Sequence, residues 1–236
     1  MNDNSIQNQR NGHTVKKHYK ETFEKIPEGK RENIHKVAAS EFAKHGFKAA
    51  NINVIAEKAG ISIGSMYNYF NSKEDLFLTV IDYGYQVLES VISEIDLEKG
   101  DIFDKIERLL RAAQKYSKEY PELNQIYLDI TSEGLSHLSV MLSRKMETIS
   151  AQFYRALLSE SKKSGEVDPK IDEYVTSYCL DNLILLLQYS YTTAYFRERM
   201  KIFAGEDALE DDEKMIRGMM YFIRKALAPV SEQLHG

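Results

Sequence analysis

Tryptophan is absent from the 236 residues, cysteine occurs once, and there are only 4 prolines and 12 glycines. So few turn-forming residues exclude the many tight corners of a β-sandwich and favour long helices. The single thiol, Cys179, excludes an intrachain disulfide framework and suits a reducing compartment. With no histidine near it in sequence, Cys179 reads as a small buried hydrophobe. Long apolar runs are missing too. The longest, Leu183 to Leu187 and Met219 to Ile223, are too short to cross a bilayer. The polar N-terminus lacks the apolar core of a secretion signal, so a cytoplasmic protein with no membrane partner is expected. Neither a phosphate-cradling glycine loop nor a serine-nucleophile elbow occurs. Asp129, Glu133 and His137 stand at four-residue intervals, but Gly134 interrupts the helix they would share, so no metal site is assigned. No catalytic residue and no cofactor are assigned either, and an enzyme is not expected.

What is present is an ordinary globular balance, 43% hydrophobic and 28% charged, with an uneven distribution of charge. Residues 1–73 carry 12 Lys+Arg against 7 Asp+Glu, while the remainder carries 19 against 29. A basic N-terminal third on an acidic protein points to a polyanion as the partner of that third alone. Residues 1–20 hold almost no large apolar side chains, and a flexible tail is expected over residues 1–27. Its basic cluster, Lys16, Lys17, His18 and Lys20, reads as a solvated tail first and as an arm touching DNA phosphates second.

From residue 28 the pattern is helical. Ile34, Val37, Ala38 and Phe42 line one helix face, and Gly46 supplies a stop. Asn51 caps a short second helix that buries Ile52, Ile55, Ala56 and Ala59. Gly60 allows a left-handed turn, Ile61 plugs the core, and Ser62 caps a third short helix that ends at Phe70. Asn71 and Ser72 open a fourth helix, with Glu74 and Asp75 at capping-box spacing. Two short helices joined by a tight turn and backed by longer ones make either a helix-turn-helix or an ordinary helical hairpin.

The stretch Gly46-Phe47-Lys48-Ala49-Ala50-Asn51-Ile52, then Ile55-Ala56-Glu57-Lys58-Ala59-Gly60-Ile61-Ser62, and Gly64-Ser65-Met66-Tyr67-Asn68-Tyr69-Phe70-Asn71-Ser72-Lys73-Glu74-Asp75-Leu76-Phe77, resembles the tetracycline-repressor (TetR/AcrR) family of bacterial transcriptional regulators. The resemblance covers about residues 30–80. It implies an all-α fold: a helix-turn-helix DNA-binding domain over residues 28–75, motif about 52–71, and a larger helical ligand-binding and dimerisation domain over 76–236. It implies DNA-contact roles for Asn51, Ser62, Ile63, Ser65, Tyr67, Asn68, Tyr69 and Lys73. Asn51, Tyr67, Tyr69 and Lys73 would meet phosphates, and Ser65 and Asn68 would face base edges. Met66 is expected in the core. Ile63 stands where relatives carry a basic or polar residue, so a phosphate contact is lost or a thymine-methyl contact is added.

Further helices are expected near 101–119, 121–133, 136–163, 169–200 and 208–228. The helix 169–200 is apolar most of the way round, so one side packs on its own domain and another on a partner. Ile184, Leu187, Tyr191, Met219 and Ile223 are the expected homodimer contacts, in a four-helix bundle that a palindromic operator in double-stranded DNA would require. Tyr116, Tyr127, Tyr154, Tyr178 and Asn182 lie where relatives enclose a small-molecule inducer, and hydroxyls rimming an apolar cavity suit an apolar or amphipathic ligand. The expected protein is therefore a dimeric, ligand-released repressor. The alternative is a DNA-bound scaffold that recruits a protein partner without an inducer.

Overall fold

A computed structural model describes residues 17–94, 98–131 and 136–229. Among these the chain is helical, with no strand, and it divides into two compact units, residues 1–83 and 84–236. None of the helices is long and apolar enough to cross a membrane. Glu133 and residues 1–16, including Lys16, lie outside the described residues, as does the side chain of His137.

In the first unit, α1 (Glu21–Glu24) precedes α2 (Glu28–Ala49), α3 (Ile52–Lys58), α4 (Ile63–Tyr69) and the start of α5 (Lys73–Ser93). The expected tail over 1–27 is corrected here: residues 18–27 are built into the unit. Phe23 is the reason. It is buried, with its ring 4.8 Å from that of Phe70 and 5.7 Å from that of Tyr69. Gly46, at φ 68°, breaks the ladder of α2, and Gly60, also at φ 68°, makes the turn between α3 and α4. Ile34, Phe42, Ile55, Ala56, Met66, Phe70, Leu76 and Phe77 form the core beneath. Ile61 is only half-buried, so the expected plug is partial, whereas Met66 is fully buried as expected.

The second unit continues α5 and adds α6 (Ile102–Glu119), α7 (Pro121–Thr131), α8 (Ser136–Lys163), α9 (Glu173–Thr192), α10 (Ala194–Ala204), a 3-10 turn (Glu206–Leu209) and α11 (Asp212–Leu227). A capping box between Asp101 and Asp104 starts α6. Ile102, Ile106 and Leu110 of α6 pack with Leu158, Leu180, Leu187, Ile216, Ile223 and Leu227. The single helix expected over 169–200 is two. Asp172 caps α9, and Thr193 is extended, with its hydroxyl accepting from the Phe196 amide at 3.2 Å to start α10. Threonine is a common cap, and here that local bond outweighs continuing apolar periodicity.

Candidate nucleic-acid interface and effector unit

The candidate surface is built on helix ends. The Asn51 side chain accepts from the Asn53 amide at 2.9 Å and sets the first turn of α3. The Ser62 hydroxyl accepts from the Ser65 amide at 3.0 Å and does the same for α4. With Met66, Tyr69 and Phe70 turned inward, α4 shows solvent the other side: Ser62, Gly64 and Asn68 are exposed, and Ile63 and Tyr67 keep about half their surface, 48% and 47%. An apolar side chain held that far out of a fold with ample core is available to a base edge or methyl group.

Three expected contacts change character. Tyr69 is buried among Phe23 and Phe70, so it supports α4 instead of standing beside Tyr67. Ser65 is half-buried, and its hydroxyl lies 2.9 Å from that of Ser62, so it is engaged within its own turn. Lys73 opens α5 as expected, yet its ammonium donates to the carbonyls of Lys48 (2.9 Å) and Ala50 (3.1 Å) and lies 5.0 Å from the centre of the Phe47 ring. It fastens the end of α2, and with it the Asn51 cap, to α5. Asp75 helps from the same turn: its amide donates to the Ser72 hydroxyl at 3.1 Å, and its carboxylate accepts from the Asn71 amide at 3.2 Å. Behind this surface His35 sits between the rings of Phe23 and Tyr83, its Nε2 buried without a hydrogen-bond partner among the described residues. Burial, aided by the charge of Arg31, lowers its pKa to about 4.

In the second unit the expected inducer residues divide. Tyr127 donates to the Glu147 carboxylate, and burial, that bond and the carboxylate charge all raise its pKa. Tyr154 is buried in the field of Asp181, and burial pushes the Asp181 carboxyl up to about 6, with the charge of Glu147 adding to the effect. Tyr127, Glu147, Tyr154 and Asp181 thus form one polar group contributed by α7, α8 and α9. Sequence reasoning passed over the two acids, although Asp181 in a largely apolar helix was the available signal. Tyr116 is buried against Tyr120, with ring centres 5.4 Å apart. Tyr178 does not point inward at all; it is 71% exposed. The amide of Asn182 donates to the Tyr178 carbonyl of its own helix at 2.8 Å.

Three of the five expected dimer contacts are corrected in the same way. Leu187, Tyr191 and Ile223 are buried within the unit's own core, and Ile184 and Met219 pack against it. Tyr191 also accepts from Gln114 at 2.6 Å. On α9 the outward apolar side chains include Tyr174, Val175, Tyr178 and Leu186, and on α11 Tyr221 and Phe222. Cys179 is exposed beside them, not buried as its type suggests. Among the described residues no group of three or more His, Cys, Asp or Glu side chains is placed to hold a metal.

Residues 34–80 match the family model for bacterial regulatory proteins of the tetR family. YdgC, an uncharacterized HTH-type transcriptional regulator of Bacillus subtilis, is 26% identical over 65% of this chain and 76% of its own length. The HTH-type transcriptional repressor SCO4008 of Streptomyces coelicolor is 31% identical over 51% of this chain and 58% of its own. The crystal structure of a TetR family transcriptional regulator from Chloroflexus aurantiacus superposes with a TM-score of 0.68, covering 89% of this chain and 98% of that one at 22% identity, a likeness of fold.

Proposed function

Because the chain belongs to the tetR family of bacterial regulatory proteins, we propose that it works as a homodimeric repressor that a small amphipathic ligand releases from its operator. The observation that carries the DNA-binding part is the outward face of α4, with Ile63, Tyr67 and Asn68 exposed over a core closed by Met66 and Phe70. Tyr67 and Asn51 would meet the phosphate backbone, and Ile63 and Asn68 the base edges. Two such helices in successive major grooves require half-sites about 34–36 Å apart, hence a two-fold dimer. The exposed apolar side chains of α9 and α11 support that dimer, because an uncovered face of this kind favours burial against a copy of itself.

The ligand reading rests on the polar group in the second unit. An amphipathic molecule would set its polar end toward Glu147 and Asp181 and its apolar body among the tyrosines. Its effect on DNA must be reciprocal: ligand and operator weaken each other by the same factor, about 5- to 150-fold for ordinary couplings. The test begins with selection of bound duplexes from a randomised pool, followed by native mass spectrometry of the purified protein. The expected result is an enriched two-fold sequence and a dimer carrying a releasable small molecule, which weakens binding to that sequence. Saturation with that molecule at unchanged DNA affinity would sink the release mechanism, and a monomer would sink the dimeric one. A second reading, recruitment of a protein partner, draws support from Tyr195, Ile202 and Phe203, each over 70% exposed on α10. It expects an empty dimer and loss of partner binding, but not DNA binding, on Phe203→Asp.

A further inference from the structure

The last turn of a helix leaves carbonyls with no amide to meet them, and a seven-residue helix has hardly more than its two ends. In α4 these carbonyls are met from outside. The Lys20 ammonium donates to the Tyr67 carbonyl at 2.7 Å, the Thr22 hydroxyl donates to the Asn68 carbonyl, and the Lys20 amide donates to the Tyr69 carbonyl at 2.8 Å. Three successive carbonyls are thus closed by residues 20 and 22, which lie outside the family match over 34–80. A lysine at this place also sets positive charge against the negative end of the helix dipole.

The segment that supplies these donors is itself held at several points. The buried Thr79 hydroxyl of α5 lies 3.1 Å from the His18 carbonyl, the Phe23 ring sits against Phe70, and Arg31 donates to the carbonyls of Glu24 (2.7 Å) and Ile26 (3.0 Å). It is a strap between the body of the unit and the end of the reading helix. The two side chains exposed next to its bonds, Tyr67 and Asn68, are those proposed to touch DNA, so a strap that fixes their backbone fixes their aim.

We propose that residues 18–24 are a positioning element for DNA reading, with Lys20 and Thr22 holding the register of α4 without themselves contacting the operator. The proposal rests on the DNA-binding function set out above. The test uses the full chain carrying Lys20→Met with Thr22→Val, a duplex selected by the unmodified protein, and a scrambled duplex of the same composition. Loss of register lowers affinity for the selected duplex by about ten-fold, while the scrambled duplex loses less than about two-fold, because phosphate attraction tolerates a shifted helix. Lys20→Arg, which keeps a charged donor, restores most of the loss.

An equal loss on both duplexes, with the slope of log affinity against log salt reduced by about one, would make Lys20 a phosphate ligand and overturn the proposal. Unchanged affinity for both would overturn it as well. Thr22→Val alone, at an exposed hydroxyl, gives the same comparison should the double variant fail to fold. Failure of the unmodified protein to enrich any duplex would count against the DNA-binding reading, not against the strap.

Discussion

The two units carry their information in different places. In residues 1–83 the helices α3 and α4 have seven residues each, and the starts of α3, α4 and α5 are marked by side chains that bond within a few positions: Asn51 to the Asn53 amide, Ser62 to the Ser65 amide, Ser72 to the Asp75 amide. Such caps act locally, so residue type and spacing nearly determine them. In residues 84–236 the helices are long, and what matters is which stripe of each one faces inward. Leu187 and Leu186 are neighbours of the same type on α9, yet the first is buried and the second exposed. Only the packing of α6, α7, α8 and α10 against α9 distinguishes them. The lesson is that end signals survive without their context and face signals do not.

The comparison sharpens most at those neighbours. Leu187→Ala is expected to cost about 2–5 kcal/mol of folding stability, as deletions in a closed core do, measured by urea unfolding. Tyr178→Glu with Val175→Glu is expected to leave the folded protomer intact, because both side chains already face solvent, and to convert dimer to monomer in analytical ultracentrifugation. A double variant that stays dimeric would move the interface to another face.

Titration divides the units with opposite sign. His35 has its folded pKa lowered to about 4, so the unfolded chain takes up the proton first as pH falls from about 6.5. Its contribution is present at neutral pH and lost on acidification, by about 2 kcal/mol at pH 4.5. The His35→Phe variant should show a flatter profile over that window. Asp181 has its folded pKa raised to about 6, so its ionised form burdens the fold above that pH and the burden lifts between about 6 and 4. Asp181→Asn is therefore expected to stabilise by about 1 kcal/mol at pH 7.5, an amount reduced because solvent still reaches the carboxyl, and to match the unmodified protein near pH 4. Parallel profiles for the two variants would erase this distinction.

The smallest expected effects fall on the caps. Asn51→Ala and Ser62→Ala should each cost about 1 kcal/mol of stability and lower affinity for a selected duplex. A cap loss without any change in DNA binding would separate helix formation from reading.

How much of this was legible from sequence follows the same division. The start of α3 at Asn51, the turn at Gly60, the cap at Ser62 and the inward Met66 could all be read from residue type and spacing. Lys73 was found at the right helix start but given to phosphate, because nothing in a linear sequence brings the Lys48 and Ala50 carbonyls within reach of its ammonium. The tail was drawn ten residues too long because one aromatic, Phe23, among polar neighbours makes no pattern; only a cluster assembled from distant rings gives it a place. Tyr178, expected in a pocket, is exposed, and Leu187, expected at a dimer seam, is in the core, for the reason already given; Asp181 was overlooked although an acid within a largely apolar stretch of α9 was the available signal.

The strap also bears on how the first unit forms. Its bond from Lys20 to Tyr67 spans 47 positions, so it closes a long loop and gains nothing until both ends are in place. Synthesis delivers the donors well before the carbonyls exist. The local turns of α3 and α4 can form within their own few residues, whereas the end of α4 must wait for a non-local closure. The helix proposed to meet the operator is thus among the last parts of its unit to become rigid, and substitutions at Lys20 should speed unfolding more than they slow folding.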